Sequence, residues 1–420
     1  MQNLKEFITK PINYGVYCLN YLQDRISNQQ IPEEHEGVKI TLDEREEKMS
    51  SEDLITSKNY PLEIHYVTTI DGYILKLYRI TGAKNDKTKI EKSEIKKQAV
   101  LFVHGLLDSS DGWISNDEDK CLPYILANIG YDVWLGNSRG NKHSRNHIKL
   151  NPDEKDFWNF SFHEMGIYDI PAFTDHMLSE NSFSDKIIYI GHSQGTAEVF
   201  SALSENLEYM KQKIKLFIAM GPVAKTQCIN SKLMHLCDFI KMDQICYKLG
   251  FHEIFSYDED FNKAGSWIIP KVPYITNLFM ELLSDKGCHA INNQKRMPVF
   301  LSRIPSGSSL KAIMHLVQLY RNKRFCTYDE GPEKNMELYG QEDPKEYNLK
   351  NIKDFPCVIL YGKQDLLANP DDVEWLIEEL GENVIYKQMY EYMGHTTFMM
   401  SNDVSWFLDI IKIMDIYKEI

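Results

Sequence analysis

Six short, nearly unbroken apolar runs recur along this chain, with segments of helical length between most of them. They are QAVLFVHG (98–105), YDVWLGNSRG (131–140), DKIIYIGHSQG (185–195), KLFIAMGPV (215–223), PCVILYGKQD (356–365) and NVIYKQMY (383–390). A strand that is apolar at nearly every position has both faces buried, which is the condition of parallel strands covered by helices on each side. The helical segments fall at 164–179, 196–211, 371–380 and 403–417. The alternation predicts an α/β fold, a mostly parallel central sheet with helices on both faces. Ahead of it, IHYVTTIDGYILKLYRI (64–80) alternates apolar and polar residues around Asp71-Gly72, the pattern of an antiparallel hairpin.

Residues 224–350 break the alternation. They hold amphipathic stretches at 231–249, 274–285 and 308–323 and no series of strands, so a mostly helical cap inserted over the carboxyl edge of the sheet is expected. The chain then divides into a partly disordered leader (1–60), a first core part (61–223), the insertion (224–350) and a second core part (351–420). The leader reads as exposed from residue 27 onward, because of the acidic run LDEREEKMSSED. Residues 13–25 are read as a short amphipathic helix packed on the domain, with a membrane-surface helix as the alternative. Residues 81–97 read as a charged surface loop.

Charge narrows the partners. Across 420 residues the formal net charge is −14, which opposes nucleic acid, since phosphate binding needs concentrated Lys and Arg. An uncharged substrate is compatible with it, and any lipid contact should be apolar. No stretch reaches the about 20 continuous apolar residues that span a bilayer, and no secretory signal is read. That favours an intracellular chain, peripheral on a lipid droplet or membrane surface, over a lysosomal or secreted one. Eight scattered cysteines include no CxxC pair. Most read as buried thiols, with one disulfide among Cys228, Cys237 and Cys246 left open.

The sharpest local signal is Gly191-His192-Ser193-Gln194-Gly195, placed between the apolar KIIYI and the helix-like TAEVFSALSENLEYM. A serine at a tight strand-to-helix turn takes strained dihedrals that flanking glycines make possible, and its hydroxyl then stands at a helix N-terminus. A hydroxyl becomes a nucleophile when histidine takes its proton, with a carboxylate holding the histidine in one tautomer. In folds of this kind the order along the chain is Ser, acid, His. Asp365, in YGKQDLLANP, and His395, in YMGHTTFM, follow Ser193 in that order. Asp371 and Asp372 are the rival acids, although they look like first-turn helix residues. His104 comes too early, His192 is too close to Ser193 to turn toward it, and His143 and His147 lack the glutamate of a zinc HExxH motif. The oxyanion needs two N–H donors. Gln194 and Leu106, the latter in the loop after the first parallel strand, are expected to supply them. No metal or cofactor is expected.

These motifs resemble the acid lipase family, the group of gastric lipase, lysosomal acid lipase and the steryl ester hydrolases. The resemblance runs over roughly 60–410, through VTTIDGYILKLYRI, LFVHGLLDSSDGWI, YDVWLGNSRGNKHSRNH, DFWNFSFHEMGIYDIPA, GHSQGT, FLSRIPSGSSLKAIMHLVQLYRNKRFCTYDEG and YGKQDLLANPDDV. It implies the α/β-hydrolase fold with a cap shielding an apolar acyl pocket. It also implies Ser193 as nucleophile, Asp365 as acid, His395 as base, and Leu106 and Gln194 as oxyanion donors. The implied activity is hydrolysis of neutral lipid esters, triacylglycerol or steryl ester. Where the family usually carries NHLDF, this chain has GHTTF. An acyltransferase using the same acyl-enzyme, or a short-chain carboxylesterase, is the alternative.

Overall fold

The hairpin comes first. Strand β1 (Leu62–Thr68) pairs antiparallel with β2 (Tyr73–Ile80), from Leu62 opposite Ile80 to Thr68 opposite Ile74. The computed structural model describes residues 46–86, 97–256, 280–281, 284–288 and 291–419. Within them the six apolar runs form β3 (Ala99–Val103), β4 (Asp132–Gly136), β6 (Ile187–His192), β7 (Ile214–Met220), β10 (Cys357–Gly362) and β11 (Val384–Tyr390). Three two-residue pieces complete the strands: β5 (Asn146–His147), β8 (Glu253–Ile254) and β9 (Ser308–Ser309). The main sheet runs β1-β2-β4-β3-β6-β7-β10-β11, with β5 beside β2. All pairings from β4 to β11 are parallel.

Side-chain parity explains why the five inner runs are apolar throughout, whereas β11, expected to be buried on both faces, is the edge strand and exposes Lys387 and Met389. Leu101, Val103, Tyr189, Phe217 and Ile359 join one buried cluster. Their neighbours Val100, Phe102, Ile188, Ile190, Leu216, Val358 and Leu360 join another. Successive residues of a strand point to opposite faces, so the two clusters are the two covers of one sheet. Helices Ile170–Glu180, Gln194–Glu205 and Pro370–Leu380 supply Phe173, Phe200 and Leu376 to the first cover. Helices Leu122–Asn128 and Phe407–Glu419 supply Tyr124, Ile410 and Met414 to the second. The helix expected at 164–179 begins at a Ser161–Glu164 capping box and passes through a π turn, Met165–Asp169, before Ile170–Glu180. Pro171 cannot donate an intrahelical bond, which fits the break there.

Two expectations need correction. The leader is structured from residue 46: helix Ser51–Thr56 is capped by the Ser50 side chain and buries Leu54 and Ile55. Glu46 is drawn into ion pairs with Lys58 at 2.6 Å and Arg296 at 2.5 Å, while Asp53 stays exposed. The stretch 231–249 is two helices, Lys232–Phe239 and Met242–Lys248, split where Lys241 takes φ +55°. The insertion also carries the β8–β9 ladder, and Met297 and Phe300 pack into the second cover of the sheet. The amphipathic reading of 13–25 lies outside the described residues, as does most of 274–285. Cys228, Cys237 and Cys246 are free thiols.

Arg139 ties the hairpin to the covers. It is 1% exposed and bonds Asp169, itself 0% exposed, through Nε at 2.8 Å. It also clasps Asp71 of the hairpin turn at 2.6 and 2.9 Å. Burial pushes the Asp169 carboxyl up to about 6 against the pull of Arg139. Removing one member of a buried pair strands the other charge. Arg139→Ala is therefore expected to lower unfolding free energy by about 3–5 kcal/mol in a urea titration. A loss below about 1 kcal/mol, the size of an exposed pair, would contradict the account.

Candidate active site

Strand order creates the site before any side chain does. From β3 the chain goes on to β4 on one side, and from its neighbour β6 it goes on to β7 on the other. Open α/β sheets bind ligands at such a reversal, beyond the carboxyl ends of the strands. Ser193 follows β6 and the His104–Leu107 loop follows β3, with Val103 opposite Gly191. Asp365 follows β10 and His395 follows β11, so four loops converge on one edge.

Ser193 stands between β6 and helix Gln194–Glu205 with φ +53° and ψ −120°. A non-glycine residue held there is strained, and such strain gathers at functional turns. Its Oγ lies 2.7 Å from His395 Nε2, and His395 Nδ1 lies 2.8 Å from Asp365 Oδ2. A carboxylate only accepts, so Nδ1 carries the hydrogen and the Nε2 lone pair faces the hydroxyl. Asp365 is 1% exposed and His395 5%. The other oxygen of Asp365 accepts the N–H groups of Leu367 and Ala368, both at 2.8 Å. Burial alone would lower the His395 pKa, but the Asp365 charge and hydrogen bond, with the Asp285 charge, hold it above its ordinary 6.5.

The His104–Leu107 loop lies hard against the Ser193 turn. A Cβ built on Gly105 would come 2.9 Å from Ser193 Cβ, so only glycine allows this approach. Among the described residues, the main-chain N–H groups of Leu106 and Gln194 donate to no protein acceptor. His104 braces the loop. Its Nδ1 bonds the Gly105 carbonyl at 2.8 Å, and its Nε2 takes hydrogen bonds from Ser138 N–H and Asn141. Burial pulls its pKa down to about 4, which keeps this ring neutral.

The other candidates separate cleanly. His192 does not reach the Ser193 hydroxyl; its Nε2 bonds the His395 carbonyl at 3.0 Å. Sequence reading missed this bracing role, which becomes visible only when β6 and the His395 loop meet. Burial pulls the His192 pKa down to about 3. Asp371 caps nothing in the site and is an exposed first-turn residue, while Asp372 accepts the Cys228 N–H at 2.6 Å. His143 lies by Asp111, and His147 bonds the Asp71 carbonyl, so the two do not converge. Among the described residues, no group of three His, Cys, Asp or Glu could hold a metal ion.

Comparison with known proteins agrees with this architecture. A family described as "Partial alpha/beta-hydrolase lipase region" matches residues 51–117, and one described as "alpha/beta hydrolase fold" matches 98–245. Gastric triacylglycerol lipase of Rattus norvegicus is 36% identical over 365 residues, 85% of this chain and 89% of the relative. Lipase member J of Homo sapiens is 35% identical over 360 residues, 85% of this chain and 96% of the relative. Among solved structures, a soluble variant of monoglyceride lipase from Saccharomyces cerevisiae superposes with a TM-score of 0.53. It shows 16% identity and covers 86% of this chain and 94% of its own, a likeness of fold. This chain accordingly belongs to the acid lipase family of α/β hydrolases and is a carboxylic ester hydrolase.

Proposed function

We propose that this hydrolase cleaves the acyl esters of neutral lipids, triacylglycerol or steryl ester, through Ser193, His395 and Asp365. The observation that carries the reading is the unbroken chain of two hydrogen bonds, 2.7 and 2.8 Å, from the strained serine to a buried carboxylate. Ser193 attacks the ester carbonyl while His395 Nε2 takes its proton. Asp365 balances the imidazolium, and the N–H groups of Leu106 and Gln194 hold the oxyanion. His395 returns the proton to the leaving alcohol, and water then releases the fatty acid by the same steps. No step asks for a metal or cofactor.

The gastric lipase relatives support triacylglycerol as a substrate. The insertion, 224–350, serves as the cap in this reading. It exposes Leu236, Phe239 (83%), Tyr247, Leu249, Phe251 and Phe255. Exposed apolar side chains of that kind suit a lipid droplet or membrane surface, where a net charge of −14 gives no electrostatic help. Among the described residues no helix is long and apolar enough to cross a membrane. The likeness to gastric lipases supports the secreted or lysosomal alternative against the intracellular one.

The test is a substrate panel of triolein, cholesteryl oleate and p-nitrophenyl butyrate, run with and without added alcohol, alongside a fluorophosphonate probe. Labelling at Ser193 and turnover of the long-chain esters are expected. Turnover of the butyrate alone would make the chain a short-chain carboxylesterase, and new esters formed from the added alcohol an acyltransferase. The pH profile follows from the raised His395 pKa. The base works only when neutral, so kcat/KM is expected to fall on the acid side through a midpoint above 6.5. A midpoint below that value would contradict the assignment.

A further inference from the structure

We propose that Asp285, a carboxylate in the insertion, is a positioning residue that locks the His395 loop to the Asp365 loop and sets a second negative charge behind the imidazole. The inference rests on the triad reading above. Its main chain serves one loop: Asp285 bridges Asp365 as a single antiparallel β-pair. On either side Leu366 N–H bonds the Ser284 carbonyl at 2.9 Å, and Lys286 N–H bonds the Gln364 carbonyl at 3.0 Å. Its side chain serves the other loop. One oxygen accepts the Thr396 N–H at 3.0 Å, and the other accepts the Thr396 hydroxyl. A Cβ on Gly394 would collide with the same carboxylate, so glycine before His395 is what admits it. The GHTTF sequence thus gains its meaning from a residue of the insertion: Gly394 leaves the room and Thr396 supplies both donors.

Asp285 is 1% exposed. Burial pushes its carboxyl up to about 6, the Thr396 hydrogen bonds oppose that push, and the Asp365 charge adds to it. The titratable groups facing it are Asp365 and His395 from the two loops, with Cys288 and Glu281 on its own segment. The sign of its stability effect is informative. A carboxyl whose folded pKa is raised from its ordinary 3.8 to about 6 costs the fold stability as pH climbs between those values, and the cost is fully present above about 6. A residue kept only for stability would not show that. Its negative charge does raise the basicity of His395.

Asp285→Asn keeps an oxygen for the Thr396 N–H and removes the charge. At pH 7.5 it is expected to lower kcat about ten-fold with KM within about two-fold, since small losses of alignment are costly in the transition state. Its Tm should be unchanged or higher, and the acid limb of kcat/KM should move to lower pH. Gly394→Ala should also lower kcat, and that loss should shrink when Asp285→Ala is added, because the two act through one contact. Wild-type kcat and pH profile in Asp285→Asn would overturn the inference, as would a kcat loss matched by a falling Tm. Ser193→Ala is run beside it. If that variant keeps turnover, the triad reading falls and this inference with it. If it is dead while Asp285→Asn matches wild type, this inference alone falls.

Discussion

Ser193→Ala is expected to lower kcat for ester hydrolysis by about six orders of magnitude, the scale on which a nucleophile is lost from a triad that acts as a unit. Binding should survive. The Oγ contributes one hydrogen bond, to His395, and the loops that line the edge are held by other contacts. His395 keeps its Asp365 bond, and its carbonyl keeps the bond from His192. Alanine retains the Cβ, so the φ +53° strain is neither relieved nor worsened. Tm should therefore stay within about 2 °C, the shift of an effect below 1 kcal/mol in a domain of this size. Active-site titration with a fluorophosphonate separates this from misfolding: the variant should bind substrate, melt normally and take no label. Turnover within about ten-fold of wild type would remove Ser193 as the nucleophile and require another acyl acceptor.

That prediction could be written from sequence, because the signal around Ser193 is local. Five residues, with a doubly buried strand before them and a helix after, determine a sharp turn whatever the rest of the chain does. The strands were legible for a related reason: side-chain parity leaves its mark on consecutive residues, as in AVLFV and IIYI. What depended on distant partners was not legible. The acids at 46 and 52 looked solvated, yet Glu46 meets Lys58 and Arg296, and Glu52 meets Lys76 and the Tyr78 hydroxyl. The stretch 231–249 kept its apolar period across a break that one left-handed residue, Lys241, introduces. Asp285 carried no pattern at all. Its partners, Gly394 and Thr396, come from the far end of the chain, and only folding shows that a glycine and a threonine there make one binding pocket for a carboxylate.

Asp365→Asn is expected to lower kcat by about four orders of magnitude at neutral pH while leaving Tm and KM close to wild type. The argument is one of hydrogen-bond direction. Two main-chain N–H groups, of Leu367 and Ala368, point at Asp365 Oδ1 from 2.8 Å. In the asparagine variant the amide oxygen must take that place, since an NH2 group there would face two donors. The NH2 group then occupies the Oδ2 position, 2.8 Å from His395 Nδ1. A donor facing Nδ1 forces that nitrogen to accept, and the ring hydrogen moves to Nε2, where it points at the Ser193 hydroxyl it was meant to deprotonate. Geometry is preserved and the tautomer is wrong. The comparison variant is Asp371→Asn, an exposed first-turn residue one helix away. It should stay within about two-fold of wild type, because dipole interactions at an exposed helix start are worth only about 0.3–1 kcal/mol of stability. A larger loss in Asp371→Asn than in Asp365→Asn would move the acid to the helix. It would also leave the buried 2.8 Å contact to His395 without a catalytic purpose.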